Sequence, residues 1–171
     1  QVYHTTSAVI SRSAVIFLST MFCGIVGLNT VITVTMASRP AFYREQQSHM
    51  YNPLFYEIAL GIVEVPYLLA SSLIFTVPFF FIVGFDDGFG TGSTITNFMW
   101  FWMYEYFYLT SMVFAGQILG MALPNEAAAT VVSGLWALIN SNFCGFIVKA
   151  QDLPKFLVFA YWLSPLHYAL E

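Results

Sequence analysis

The sequence predicts an all-α integral membrane fold with four transmembrane helices, an interfacial helix after the first, and a short re-entrant segment at the end. Three observations predict it. Charged residues make up 8% of the chain and apolar ones 58%, with a mean hydropathy of +0.73; soluble domains carry roughly 25% charge. Five basic and nine acidic side chains cannot give 171 residues a water-facing surface. The apolar residues also run in long uncharged stretches separated by short polar ones, so the bilayer must be the solvent for most of the chain.

Residues 1–12 precede the first span, which covers 13–36 between Arg12 and Arg39 and holds no charge. At ~1.5 Å per residue it reaches ~36 Å, enough to cross ~30 Å of hydrocarbon with some tilt. Residues 37–54 carry Arg39, Arg44, Glu45 and His49 and cannot span; Phe42 and Tyr43 beside Gln46 and Gln47 suit a short interfacial helix. The second span, 55–85, contains Glu57, Glu64 and two prolines, Pro66 and Pro78, which kink a membrane helix. Asp86 to Asn97 reads as a polar loop, and its GFGTG string lacks the lysine and preceding strand of a phosphate loop.

The third span, 98–123, opens with Trp100, Trp102, Tyr104, Tyr106 and Tyr108, side chains suited to the headgroup boundary. Pro124, Asn125 and Glu126 make a very short turn before the fourth span, 127–148. In 149–171, only Phe156 to Leu163 is continuously apolar. Eight helical residues reach ~12 Å, too short to cross, which predicts a re-entrant or interfacial segment.

Cys23 and Cys144 lie inside apolar runs, and no CxxC, Cys/His cluster or HExxH pattern is present, so no metal and no catalytic residue is assigned. His4, His49 and His167 fall outside the long spans. There is no basic patch for nucleic acid. The basic residues do not set orientation: Arg39 and Arg44 on one side stand against Arg12, Lys149 and Lys155 on the other. Glu57 and Glu64, seven residues apart, share a helix face, and Glu105 falls ~10 Å into its span. Together they are expected to form a buried polar network, with Glu57 and Glu64 in structural pairing more than in substrate contact and Glu105 serving either as structural glue or as a relay of movement.

The string SRPAFYREQQSHMYNPLFYEIALGIVEVPYLLA, with Arg39, Phe42-Tyr43-Arg44-Glu45, Tyr51, Tyr56 and Glu64-Val65-Pro66-Tyr67, resembles the segment joining the second and third spans of ABC transporter membrane domains. The group is the ABCG or pleiotropic-drug-resistance (PDR) group, with an ABC-2 type domain. Leu123-Pro124-Asn125-Glu126-Ala127-Ala128 is similar to that group's turn between spans four and five. Cys144-Gly145-Phe146, Leu153-Pro154 and Tyr161-Trp162-Leu163-Ser164-Pro165 are similar to its outer re-entrant segment. Ser38 departs from the pattern, which usually places glutamate there; an ion pair made by that glutamate is in doubt here.

The resemblance implies that the four spans are the family's second to fifth. The first and sixth spans and the nucleotide-binding domain, with its ATP and Mg, would lie outside this stretch. The start at Gln1 without methionine fits an excerpt. Residues 1–12, 86–97 and 149–171 would face outward, and 37–54 would be a cytoplasmic coupling helix in which Arg39, Tyr43, Arg44 and Glu45 meet the ATPase domain. Val26, Asn29, Leu138, Ser141 and Asn142 would line the substrate pathway, with Phe146 near an outward constriction. Partners would be membrane lipid, the nucleotide-binding domain, a second transmembrane half and a hydrophobic small molecule or lipid.

The implied function is the transmembrane region of an ATP-driven ABCG/PDR-type exporter in a plasma membrane, not itself an enzyme. The alternative is an ion-coupled secondary transporter or channel without an ATPase, in which Glu57, Glu64 and Glu105 carry protons or ions. An intramembrane hydrolase finds no paired aspartates, Ser/His pair or metal cluster in the sequence.

Overall fold

The computed structural model describes residues 6–84, 94–144, 162 and 164–170. Among them the secondary structure is entirely helical: α1 Thr6–Gln47, α2 Pro53–Val83, α3 Thr94–Ala122, α4 Glu126–Asn142 and a six-residue α5, Pro165–Leu170.

The first departure from expectation is α1. The predicted break between span and interfacial helix does not occur: 42 residues form one helix, with Pro40 inside it. At ~1.5 Å per residue that is ~63 Å, about twice the hydrocarbon thickness, so a single rod carries the apolar span and the polar segment after it. No helix-stopping glycine separates Met36 from Arg39, and Ser38 folds its hydroxyl onto the Thr35 carbonyl at 3.0 Å instead of diverting the backbone.

The chain then reverses over five residues. His49 takes φ 54°, the Met50 N–H donates to Glu45 O at 3.3 Å, and Asn52 caps α2 by accepting from Leu54 N at 3.1 Å. Pro53 occupies the first turn of α2, where its missing N–H costs nothing. At the far end Gly84, φ 69°, closes α2 with its N–H on the carbonyls of Phe80 and Phe81, a left-handed cap that suits glycine. Arg12 of α1 donates to Gly84 O at 3.3 Å, so α1 and α2 run antiparallel.

α3 begins earlier than expected, at Thr94, and α4 ends at Asn142. Of the outer segment, Phe146 and most of 149–171 lie outside the described residues, as does most of the Asp86–Asn97 loop. α5 packs on α3 and α4, with Leu166 fully buried and Ser164 donating to Asn140 O at 3.2 Å. Among the described residues two helices, α1 from Ser11 and α2, are long and apolar enough to cross a membrane. α3 has the length, but its tyrosines, tryptophans, Glu105 and Gln117 dilute its apolarity; α4 is 17 residues, ~25 Å.

α3 is the hub. Its face carrying Glu105, Tyr108, Leu109, Met112, Val113, Gly116 and Gly120 is buried, chiefly against α1. Glycines permit the approach. A Cβ on Gly24 would meet the Tyr108 hydroxyl at 2.7 Å, one on Gly116 would meet Leu28 O at 2.8 Å, and one on Gly120 would meet Thr35 Cβ at 2.9 Å. Gly116-Gln117-Ile118-Leu119-Gly120 is a GxxxG pattern, the spacing that lets membrane helices gain dispersion contacts where lipid offers no hydrophobic drive.

α2 touches α3 along one stripe, Leu68, Ser72, Thr76 and Phe80, fixed by Trp102 donating to Ser72 Oγ at 3.1 Å. Much of the remaining α2 surface is exposed and apolar; Ile74 is 72% and Ile82 82% exposed. Hydrocarbon is the medium such a surface matches.

Candidate functional site

Three polar clusters interrupt the apolar packing. At the α1–α3 seam Glu105 is 2% exposed and accepts from Thr20 Oγ1 at 2.8 Å. Between α2 and α3, Gln117 Nε2 donates to the half-buried Glu64 at 3.1 Å. Along the α1–α4 edge, Ser133 donates to Asn29 Oδ1 at 3.2 Å and Thr33 donates to Glu126 Oε1 at 2.8 Å.

The three acidic residues therefore do not form the single buried network that their spacing suggests. Glu105 belongs to α1 and α3; Glu64 belongs to α2 and α3; Glu57 is exposed, at the edge of a groove of about 600 Å³ with Gly61, Phe114 and Gln117. The reason is the pitch of the α2 contact stripe. It advances in steps of four through Phe80, Thr76, Ser72 and Leu68 to Glu64, and Glu57, two turns further on, borders the open groove between α2 and α3.

The expected pathway residues also divide. Val26 is exposed and lines a groove of about 580 Å³ between α1 and α2, together with Thr30, Val34, Glu64 and Tyr67. Asn29 and Thr33 turn the other way, onto α4, so Val26 and Asn29 do not share one lining face. On α4, Leu138 and Asn142 lie on an exposed face with Val131 and Leu135, whereas Ser141 is buried and donates to Leu138 O at 3.1 Å. Phe146 lies outside the described residues.

The expected coupling residues cluster at one end of α1. Arg44 is exposed; Tyr43 is exposed, with its ring 5.7 Å from Phe42. Glu45 accepts from Tyr51 Oη at 2.7 Å, and Tyr51 stacks on Tyr56, whose ring lies 4.6 Å from Phe42. That hydrogen bond to the carboxylate pushes the Tyr51 phenol up to about 12. Arg39 points inward instead. Its Nη1 donates to Leu123 O and, at 3.5 Å, to Gly120 O, and its Nε donates to Tyr43 Oη at 3.2 Å.

Against known proteins, all of residues 1–171 match the family described as ABC-2 type transporter. The chain belongs to the ABC-2 type transporter family. It is 32% identical over 154 residues to ABC transporter G family member 53 of Oryza sativa subsp. japonica, covering 90% of this chain and 10% of that one. It is 32% identical over 167 residues to ABC transporter G family member 2 of Dictyostelium discoideum, covering 97% and 12%. With ABC transporter G family member 31 of Arabidopsis thaliana it shares 26% over 156 residues, covering 91% and 10%. The chain thus spans about a tenth of the length of these curated relatives.

The ABC-2 match and the apolar helices make this an integral membrane, ABCG-type transporter region. The four polar or small residues that organise its interior, Thr20, Gln117, Gly116 and Gly120, were not singled out from sequence. The GxxxG spacing was a legible signal for the last two; the partners of Glu105 and Glu64 had none.

Proposed function

We propose that this chain is part of the transmembrane region of an ATP-driven ABCG exporter of the PDR branch, moving hydrophobic small molecules or lipids out across a plasma membrane. Its ATP and Mg are held by a nucleotide-binding domain outside this stretch, and a second transmembrane half completes the pathway. The observation that carries the reading is the continuity of α1. One helix runs from Val26 and Asn29, beside the groove and the α4 edge, to Arg44 and Glu45, unbroken through Pro40.

A displacement at the Arg44–Glu45 end of such a rod is delivered to the pathway residues ~22–28 Å away by helical rise. The tyrosine cluster stiffens that end, since Phe42, Tyr51, Tyr56 and Glu45 hold the reversal into α2. Exposed Val26, Leu138 and Asn142 give the lining both apolar surface and an amide.

The test is ATP-dependent export of a hydrophobic fluorescent dye from inverted vesicles carrying the full-length protein. Glu45→Lys is expected to abolish export while the Val26 and α4 faces remain intact. Collapse of the proton gradient is expected to leave export by the unmutated protein unchanged. Export that stops with the gradient and ignores ATP would replace this reading with an ion-coupled carrier.

A further inference from the structure

Pro124 and Arg39 complement each other across two helices. In the last turn of α3 the Gly120 carbonyl points toward the N–H of the residue four positions on, and that residue is Pro124, which has none. A carbonyl left open in the last turn of a helix must find another donor. The Arg39 guanidinium, arriving from α1, fills the position: Nη1 donates to Gly120 O and Leu123 O, at the negative end of the α3 dipole. Tyr43 holds the other side of the same group, with Nε to Oη at 3.2 Å and the guanidinium 5.4 Å from the ring centre. About two turns back along α1, Thr33 grips Glu126 in the first turn of α4. One helix thus holds both ends of the Leu123-Pro124-Asn125 turn.

We infer that Arg39 is a positioning residue that fastens the start of α4 to the coupling end of α1, so that α4 follows when that end is displaced. This rests on the ATP-driven reading above and gives Arg39 a role inside the membrane domain instead of at the ATPase surface. A short turn gripped at both ends has no slack in which motion of α1 could be lost. Arginine suits the post because two nitrogens of one planar group bond at once, Nη1 to the carbonyls of α3 and Nε to Tyr43 Oη, which the point charge of lysine does less well.

The test uses the full-length transporter in nanodiscs, spin-labelled at Gln47 on α1 and Val131 on α4, both exposed. In the unmutated protein the distance between the labels stays constant as nucleotide is added. In Arg39→Gln it changes on nucleotide addition, ATP hydrolysis is retained, and export per ATP falls about fivefold or more, the lower range of coupling between linked sites. Arg39→Lys recovers part of the loss. Should Arg39→Gln not assemble, Thr33→Val removes the other hold and predicts the same divergence in smaller measure.

A label distance in Arg39→Gln that stays constant, with export per ATP unchanged, overturns the inference. So does an equal loss of hydrolysis and export in the Gln and Lys variants, which is the mark of a folding role alone. Export by the unmutated protein that proceeds without ATP sinks the ATP-driven reading itself, before Arg39 is touched.

Discussion

Replacing Gly116 by alanine puts a methyl group against the backbone of α1. Its Cβ would sit 2.8 Å from Leu28 O and still nearer to Val31 Cγ1. Val31 can rotate, but the Leu28 carbonyl is fixed by its own helix, so α1 and α3 must part by some tenths of an ångström. Because Leu28, Ile32, Leu109 and Val113 pack on the same seam, the separation is shared by all of them. Overpacking of this kind costs about 1–3 kcal/mol.

Gly134 is the internal control. A Cβ there meets nothing within 4 Å, so Gly134→Ala gains up to ~1 kcal/mol in helix propensity. The assay is thermal melting of the detergent-solubilised full-length protein, read by fluorescence size-exclusion chromatography. Gly116→Ala is expected to melt several degrees below the unmutated protein and Gly134→Ala at or above it. Equal melting of the two variants would refute the argument that close approach, not merely helix formation, is what the seam glycines supply.

Thr20→Val removes the hydroxyl that donates to a carboxylate only 2% exposed, at a cost of about 1–3 kcal/mol; adding Glu105→Leu should restore part of it, and a double-mutant cycle on melting temperatures measures the coupling. Gln117→Leu strands Glu64 at the α2–α3 contact and should weaken it by a comparable amount, whereas Glu57→Gln, at an exposed position, should change stability little. The Tyr51 phenol should titrate near 12 instead of near 10, read as the 295 nm absorbance difference between the unmutated protein and Tyr51→Phe, and Glu45→Gln should bring it back down. Because the folded value is the raised one, the turn's stability is fully present below pH 10 and is lost as pH climbs from there through about 12.

Composition and run length sufficed to establish a helical membrane protein, and they did so for a plain reason. Hydrocarbon admits few charges and no unpaired backbone, so a chain this apolar has almost no alternative to helices. Part of the punctuation was legible, since Pro124 marks the turn that ends α3; the Asn52 and Gly84 caps of α2 fell inside the expected connecting segment and second span. Where the helices face each other was not legible. α1 and α2 are apolar nearly all round, because lipid and neighbouring helix reward the same side chains, and so no amphipathic stripe marks the contact.

Tertiary structure alone decided the rest. It sent Asn29 and Thr33 to α4 and left Val26 in a groove. It gave Glu105 to Thr20 and Glu64 to Gln117, and it left Glu57 exposed. It carried α1 through Pro40 as one rod and turned Arg39 inward onto α3. Each of these is a choice among equally apolar directions, settled by where a glycine permits contact or a carbonyl lacks a donor, and such pairings exist only once the helices are side by side.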